Sequence, residues 1–406
     1  MRQVPNTFFP YFIAIAIDAI GFVIISPILP SLIEHLNTHN EFYKHSLYSV
    51  VLSLYSFSYM MGAPMLGALS DRLGRRISLI VSAVGALIGF LLYALSFAHS
   101  SLSLLLIARI VSGFCSSSQC IAQAAMADLS HQQDKAKNIG FIAIAMTTGL
   151  VVGPLLSGFM TGSTGDGWHR FQWAFYLTIL FAILNIVFLL SCLKESYHPA
   201  ASAEKIHLSL QLKQFFNFFR MPIMRRWLFI FLLFEMSWSL YYQSLAIILF
   251  KSLHLNPQSI AVLLSFVGIS LSFFLFFLVR LASSSSKFLK IVQLSFITSA
   301  VMLTISLWLN SLAWHYLLAL IITAMVALGY TSLITELSQL SPPESQGLLM
   351  GTTDGLLALA FTITALLAGY LSYLFSILPF LVAALFLALA AVLFHYSLRK
   401  SHATLS

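Results

Sequence analysis

The sequence predicts an all-α integral membrane protein with twelve spanning helices in two six-helix bundles. Three observations carry that expectation. Of the 406 residues, 59% are hydrophobic and 8% charged, with a mean hydropathy of +0.91, whereas soluble domains are about 25% charged. The apolar residues fall in runs of about 20, the length that crosses a bilayer at 1.5 Å per residue. The runs are apolar all round, without the alternation over about ten residues that a membrane β-barrel strand requires.

Twelve runs can be counted, at roughly 8–32, 46–69, 78–98, 101–126, 139–161, 172–193, 226–250, 258–281, 288–309, 312–335, 346–371 and 376–397. The first is too long for a signal-peptide core, contains Asp18, Pro27 and Pro30, and lacks a small-residue cleavage pattern, so it is expected to remain as a helix. The longest polar break follows the sixth run. It divides the chain into an expected first bundle, 1–193, a cytosolic linker, 194–225, and a second bundle, 226–406. Within the linker, Leu208, Leu212, Phe215, Phe216 and Phe219 recur at helical spacing among Lys213 and Arg220, the pattern of an amphipathic helix lying on the membrane surface. An internal echo links the halves: "DLS" at 128–130 closes the fourth run and "ELS" at 336–338 closes the tenth, an offset of 208. A similar offset brings Asp18 near the level of Glu235 in the seventh run. Parallel repeats of this kind occur in secondary transporters.

The net charge of +8 orients the chain and does not point to nucleic acid. With the N-terminus inside, 17 of the 21 Lys and Arg residues fall on the cytosolic side, so both termini are expected there. The cysteines Cys115, Cys120 and Cys192 lie in apolar runs without metal-ligand spacing, and read as small buried hydrophobes. No histidine cluster, paired carboxylates or phosphate-binding loop appears, so no metal, cofactor or enzymatic activity is expected, and ATP is not expected to drive the protein.

A few polar residues interrupt the runs. Asp18 stands in "IAIDAIGF", where a carboxylate costs roughly 2.5–3.5 kcal/mol on insertion scales and persists where something uses it or water reaches it. Burial and hydration change a carboxyl group's proton affinity in opposite senses, so an acid in an alternately dry and wet cleft can couple proton binding to a conformational change. Asp18 is the first candidate proton carrier, Glu235 the second and Asp354 the third; Asp354 lies about two turns into its run, where a structural role at the cytosolic end stands equally open. Asp128 and Glu336, at helix ends, read as hinge or latch residues. In the fourth run Arg109, Ser112, Ser116, Gln119 and Gln123 fall within about 80° of one another on a continuous helix. That stripe needs a watery cavity or a helix interface; a purely structural cation is the other reading of Arg109. Trp238, Ser239 and Tyr242 beside Glu235, with Tyr55, Ser58 and Tyr59 in the second run, suit an amphipathic organic substrate. Lipid-facing placement is the alternative for each tyrosine.

Two segments carry longer patterns. "GALSDRLGRR" at 67–76 concentrates Asp71, Arg72, Arg75 and Arg76 between two runs, with Gly67 and Gly74 allowing close packing and a tight turn. "GLVVGPLLSG" at 149–158 sets Gly149, Gly153 and Ser157 four apart beside Pro154, a face for close helix approach.

These segments resemble signatures of the major facilitator superfamily, in particular its twelve-helix drug:proton antiporters, which include tetracycline exporters. The first resembles the family's cytosolic loop, which implies that Asp71, Arg72 and Arg75, with Gly67, Gly74, Arg76 and Asp128 alongside, form a cytosolic gate. Leu105, Arg109 and Gly113 are similar to its L-x-x-x-R-x-x-x-G motif, which implies proton coupling through Arg109. Gly149, Gly153, Pro154 and Gly158 are similar to the G-x-x-x-G-P-x-x-x-G motif of exporters, with Ser157 where many members have Gly. "IDAIGFVIISPILP", "MADLS", "LKES" with Glu195 and "SQGLLMG" extend the likeness, whereas "ASSSSK" at 282–287 lacks the Gly and Asp of its first-half counterpart. The resemblance implies the major facilitator fold and a monomer in the bacterial cytoplasmic membrane that exports a small amphipathic molecule in exchange for protons. The expected substrate site comprises Tyr55, Tyr59, Gln119, Gln123, Trp238 and Tyr242. A dedicated siderophore or metabolite transporter is one alternative, and a non-transporting membrane sensor another.

Overall fold

A computed structural model describes residues 9–34, 40–116, 118–129, 135–161, 171–195, 222–282, 288–309, 311–340 and 346–403. These residues form helices and no strand: α1 (Phe9–Val23), α2 (Leu29–Glu34), α3 (Glu41–Leu73), α4 (Arg75–Ala98), α5 (Leu102–Cys115), α6 (Ser118–Leu129), α7 (Lys135–Thr161), α8 (Phe171–Cys192), α9 (Pro222–Leu253), α10 (Pro257–Ala282), α11 (Phe288–Ile305), α12 (Leu312–Leu340), α13 (Gln346–Leu374) and α14 (Leu378–Ala403). Among the described residues, nine stretches are long and apolar enough to cross a membrane, and three shorter apolar helices accompany them: Phe9–Val23, Ile144–Met160 and Val292–Ile305. The amphipathic linker helix expected around 208–219 lies outside the described residues.

Large apolar side chains stand exposed along these helices, among them Leu184, Val187 and Leu190 on α8 and Phe273, Phe276 and Phe277 on α10. A soluble chain rarely presents such contiguous apolar surface, and lipid solvates it.

Two of the predicted spans are interrupted. The first run stops at Val23, turns through residues 24–28 and resumes at Leu29. Pro27 has no N–H for an intrahelical bond, and Pro30 falls in the first turn of α2, where that donor is not needed. The turn is closed by Ser26 N–H to Val23 O at 3.0 Å and Ile28 N–H to Ile25 O at 3.2 Å, and Ile24, Ile25 and Ile28 are fully buried. The fourth run breaks between Cys115 and Ser118, so the continuous polar stripe expected from Arg109 to Gln123 is carried on two helices, α5 and α6. No proline or glycine lies at that break; the residues there are three serines, 116–118.

The chain divides into two compact units. The first takes in Met1–Thr38, Leu54–Ile206 and Asn256–Gly268, and the second His39–Ser53, His207–Leu255 and Ile269–Ser406. Helices α3 and α10 therefore each contribute to both.

In the first unit, α1 lies closely along α7: a Cβ at Gly149 would collide with Ala19 and one at Gly153 would sit 2.5 Å from Val23 Cγ2. Helix α4 meets α5 through Gly85 on Cys115 and Gly89 on Ser112, and meets α8 through Phe175, stacked 5.0 Å from Tyr93 and 5.1 Å from Phe97. In the second unit α9 is the central helix, packed on α13 and α14. Its rings Trp227, Phe234 and Tyr241 meet Phe394, Phe296 and Phe380 at centroid distances of 5.3, 5.4 and 5.3 Å.

Candidate functional site

In the first unit Asp18 is buried on α1, and its carboxylate is held by α6. Ser118 N–H donates to Asp18 Oδ2 at 3.1 Å, and the Ser118 hydroxyl donates to the same oxygen. A helix begins with N–H groups that lack partners, and a carboxylate there satisfies one and complements the helix dipole. Tyr55, from α3, donates its hydroxyl to Ser116 Oγ at 2.7 Å and lies 3.4 Å from the Asp18 carbonyl. Tyr55 thus sits within the polar group around Asp18, and Tyr59, one turn on, is half-buried.

Arg109 is 1% exposed, and no carboxylate among the described residues pairs with it. Its guanidinium lies 5.4 Å from the centroid of the Tyr55 ring and 5.9 Å from that of Tyr93, donates to Phe22 O at 3.5 Å, and leaves Nε without a partner among the described residues. Ring faces offer a buried cation a negative quadrupole. Ser112, one turn further along α5, bonds Tyr93 Oη at 3.0 Å. Gln119 is half-buried on α6. The side chains of Gln123, Asp71 and Asp128 lie outside the described set.

The 67–76 segment closes α3 and opens α4. Gly67 approaches Cys120, and Arg72 is exposed. Gly74 adopts φ +91°, a backbone region that side chains disfavour, and a Cβ there would also strike the Glu195 carboxylate. That carboxylate caps α4: Oε1 accepts from Arg75 N–H at 2.7 Å and Oε2 from Arg76 N–H at 3.1 Å. The Arg75 side chain is buried and donates to Ser70 Oγ at 2.6 Å, while Arg76 reaches Leu190 O at 2.7 Å. Glu195 was legible only as part of "LKES", and nothing in its sequence neighbourhood ties it to Gly74.

On α7, Gly149 and Gly153 face α1, whereas Gly158 faces the start of α10, where a Cβ would meet Ala261. Pro154 is buried between them. Nearby, Ser265 Oγ donates to Val151 O at 3.0 Å, supplying a partner to backbone beside the residue where proline interrupts the hydrogen-bond ladder.

In the second unit Glu235 is buried on α9, and Asp354 of α13 and Tyr330 of α12 lie within electrostatic reach of it. Trp238 lies 6.0 Å from the Tyr241 ring and 5.8 Å from that of Tyr242. The hydroxyls of Tyr241 and Tyr242 are buried without a hydrogen-bond partner among the described residues, and a buried hydroxyl left unpaired costs about 1–3 kcal/mol. Ser239 turns to Thr364 at 2.7 Å, and Gln243 Nε2 donates to Thr364 Oγ1 at 2.9 Å and Phe361 O at 3.2 Å. Gln243 went unnoticed in the sequence, although it stands one turn beyond Ser239. Tyr48 donates to the Gln243 carbonyl at 2.6 Å. At the start of α3, His45 Nδ1–H donates to Gly369 O at 3.0 Å and Nε2 accepts from Lys251 Nζ at 2.5 Å, with Glu41 3.3 Å from the same ammonium.

Buried acids, an arginine among aromatic rings and apolar helices of spanning length are the build of a multi-pass membrane protein. The family model of the Major Facilitator Superfamily matches residues 11–354, and the chain belongs to that superfamily. Among curated relatives, the class H tetracycline resistance protein of Pasteurella multocida is 35% identical over 144 residues, which is 36% of this chain and 35% of that protein. The class G protein of Vibrio anguillarum is 32% identical over 194 residues, 47% of this chain and 46% of that protein. The chain thus matches between a third and a half of these relatives' length. Among solved structures, the human organic anion transporter MFSD10 superposes with a TM-score of 0.73 at 20% identity, over 97% of this chain and 100% of that one, a likeness of fold.

Proposed function

We propose that the protein is a proton-coupled exporter of a small amphipathic organic molecule, working in the bacterial cytoplasmic membrane with both termini in the cytosol. The observation that carries this reading is Asp18, a buried acid whose carboxylate accepts from the N–H and the hydroxyl of the first residue of α6, in a chain whose matched relatives include tetracycline resistance proteins. Asp18 is the proton carrier in this reading and Glu235 a second one. Arg109, Gln119, Gln123, Tyr55 and Tyr59 from the first bundle, 1–193, and Trp238 and Tyr242 from the second, 226–406, serve coupling and substrate. The small-residue face of α7 supports export, and residues 67–76 with Glu195 form the cytosolic gate.

Everted vesicles test the reading. Energised vesicles should accumulate a substrate found by screening a panel in a strain lacking its major pumps, and a protonophore should collapse that accumulation. Asp18→Asn should abolish proton-driven accumulation while leaving energy-independent exchange. Accumulation that persists without a pH or voltage gradient, or that survives in both Asp18→Asn and Glu235→Gln, refutes it.

A further inference from the structure

The first turns of α3, which belong to the second unit, are fastened to their neighbours by a histidine. His45 is 2% exposed, and its two ring nitrogens have different partners, one on α13 and one on α9. Gly369 O can only accept, so Nδ1 carries the hydrogen in that 3.0 Å bond. The Lys251 ammonium can only donate, so Nε2 is bare to receive it at 2.5 Å. Glu41, 3.3 Å from the same ammonium, supplies its counter-charge. The contact between Nε2 and Nζ therefore holds one hydrogen. A second proton turns the acceptor into a donor and sets two cations face to face, whichever nitrogen held the first.

Packing keeps the histidine at this junction. Residue 369 is a glycine on a close approach: a Cβ there would collide with His45 O and Ser49 Oγ. About one turn deeper, Ser49 Oγ donates to Leu366 O at 3.0 Å and Tyr48 Oη to Gln243 O at 2.6 Å. These are hydroxyl bonds, and hydroxyls keep their hydrogens across the range in which histidine titrates. The side chains of Lys251 and Glu41 are 31% and 52% exposed, so water reaches the Nε2 side of the buried ring along them.

We propose that His45 is a proton-operated latch at the outer face: neutral, it fastens the first turns of α3 to α9 and α13, and on binding a proton from the outer compartment it loses Lys251 and those turns loosen about Tyr48 and Ser49. With both termini in the cytosol, the start of α3 and the ends of α9 and α13 all lie on that face. The inference rests on the proposed topology for the side from which the proton comes, and on nothing else in the transport reading. From Leu54 onward α3 belongs to the first unit, so the latch acts on a helix that both units share.

The charges around the imidazole favour release. Within electrostatic reach of it are two ammonium groups, Lys251 of α9 and Lys44 of α3, and one carboxylate, Glu41 of α3, which bonds both. On α3, Tyr43 is exposed and Tyr48 is engaged with Gln243. On α9, Tyr241 and Tyr242 lie more than two turns deeper than Lys251, and the exposed His254 follows the helix. Helix α13 adds Tyr373, whose ring lies 5.8 Å from that of His45, and the exposed Tyr370. A cation formed at His45 thus meets two positive charges and one negative.

Hydrogen–deuterium exchange read by mass spectrometry on the full chain in lipid nanodiscs tests the latch, using peptides that cover 41–53, with rates corrected for intrinsic exchange. In the wild type, protection of these amides should fall roughly ten- to hundredfold from pH 8 to pH 5.5, the range that losing a hydrogen bond to a charged group produces. His45→Gln keeps a donor and an acceptor but does not titrate, so its protection should not change with pH. Lys251→Met removes the opposing cation and should also abolish the fall, which a merely structural histidine would not do. Gly369→Ala should give low protection at both pH values, because the methyl meets His45 O. Wild-type protection that ignores pH, or that falls equally in His45→Gln or in Lys251→Met, overturns the proposal. In intact cells a membrane-impermeant maleimide should label Tyr43→Cys above the parent chain; labelling only after the cells are broken overturns the outer placement. The pH response in a protein whose accumulation needs no gradient refutes the exporter reading and upholds the latch, whereas proton-driven accumulation with no pH response at 41–53 refutes the latch alone.

Discussion

Gly149→Ala adds a single methyl to a helix interior, and its effect separates packing from propensity. A Cβ at Gly149 would collide with Ala19 Cβ, lie 2.8 Å from Ala16 O and 2.9 Å from Ala19 C, whereas ordinary contact begins at 3.4 Å. Two of these three atoms belong to backbone and cannot rotate aside. Relief requires α1 and α7 to separate, which also opens the seam at Gly153, where Ile20 O lies 3.2 Å from the same ideal position. Overpacking of this kind costs about 1–3 kcal/mol, and the better helix propensity of alanine returns up to about 1 kcal/mol, so the net destabilisation is up to about 2 kcal/mol. Gly351 supplies the control, because it is also helical but has nothing within 4 Å of its ideal Cβ. Thermal unfolding of the purified protein in one detergent should show Gly149→Ala falling, by up to roughly 8 °C, and Gly351→Ala unchanged or slightly raised. Adding Ala19→Gly to Gly149→Ala should recover part of the loss, since it removes the methyl and leaves the Ala16 carbonyl in place. Equal melting of the two single variants would refute the claim that α7 lies against α1 through its glycines.

Glu195→Ala should destabilise the first unit by about 0.5–2 kcal/mol, the worth of a helix N-cap, and Gly74→Ala should be at least as damaging because it combines positive φ with the Glu195 collision; chemical denaturation of each variant checks this. Thr364→Val should cost about 1–3 kcal/mol, because it removes the hydroxyl that Ser239 and Gln243 share in a buried site and leaves Ser239 only the long contact to Met236 O at 3.4 Å, while Ser239→Ala costs less, and a Ser239→Ala/Thr364→Val pair should be non-additive in melting temperature. Trp238→Leu should remove substrate-dependent quenching of tryptophan fluorescence; unchanged binding would take Trp238 out of the substrate site.

How much of this was legible beforehand follows from the range of the forces involved. Membrane residence, helical class and superfamily rest on composition, run length and contiguous motifs, all of them local along the chain. Asp18, Arg109 and Glu235 stood out because a charge in hydrocarbon is costly wherever it lies. Their partners did not stand out. Glu195 meets Arg75 and Arg76 across about 120 residues, and Ser118 meets Asp18 across 100. Arg109 and Ser112, which periodicity set on one stripe, both lie beside Tyr93, yet that periodicity extended the stripe past the end of α5, which helical spacing cannot register, because serines permit either course.

The amino-acid order by itself determined which segments enter the bilayer, since transfer into lipid depends on each segment's own side chains. It also determined the turn at Pro27, whose missing donor is a covalent fact. The end of α5 at Ser116, the left-handed backbone at Gly74 beneath its capping glutamate, and the aromatic housing of Arg109 were decided by tertiary structure. In each case the deciding hydrogen bond or ring face comes from a distant helix, and only folding brings it within reach.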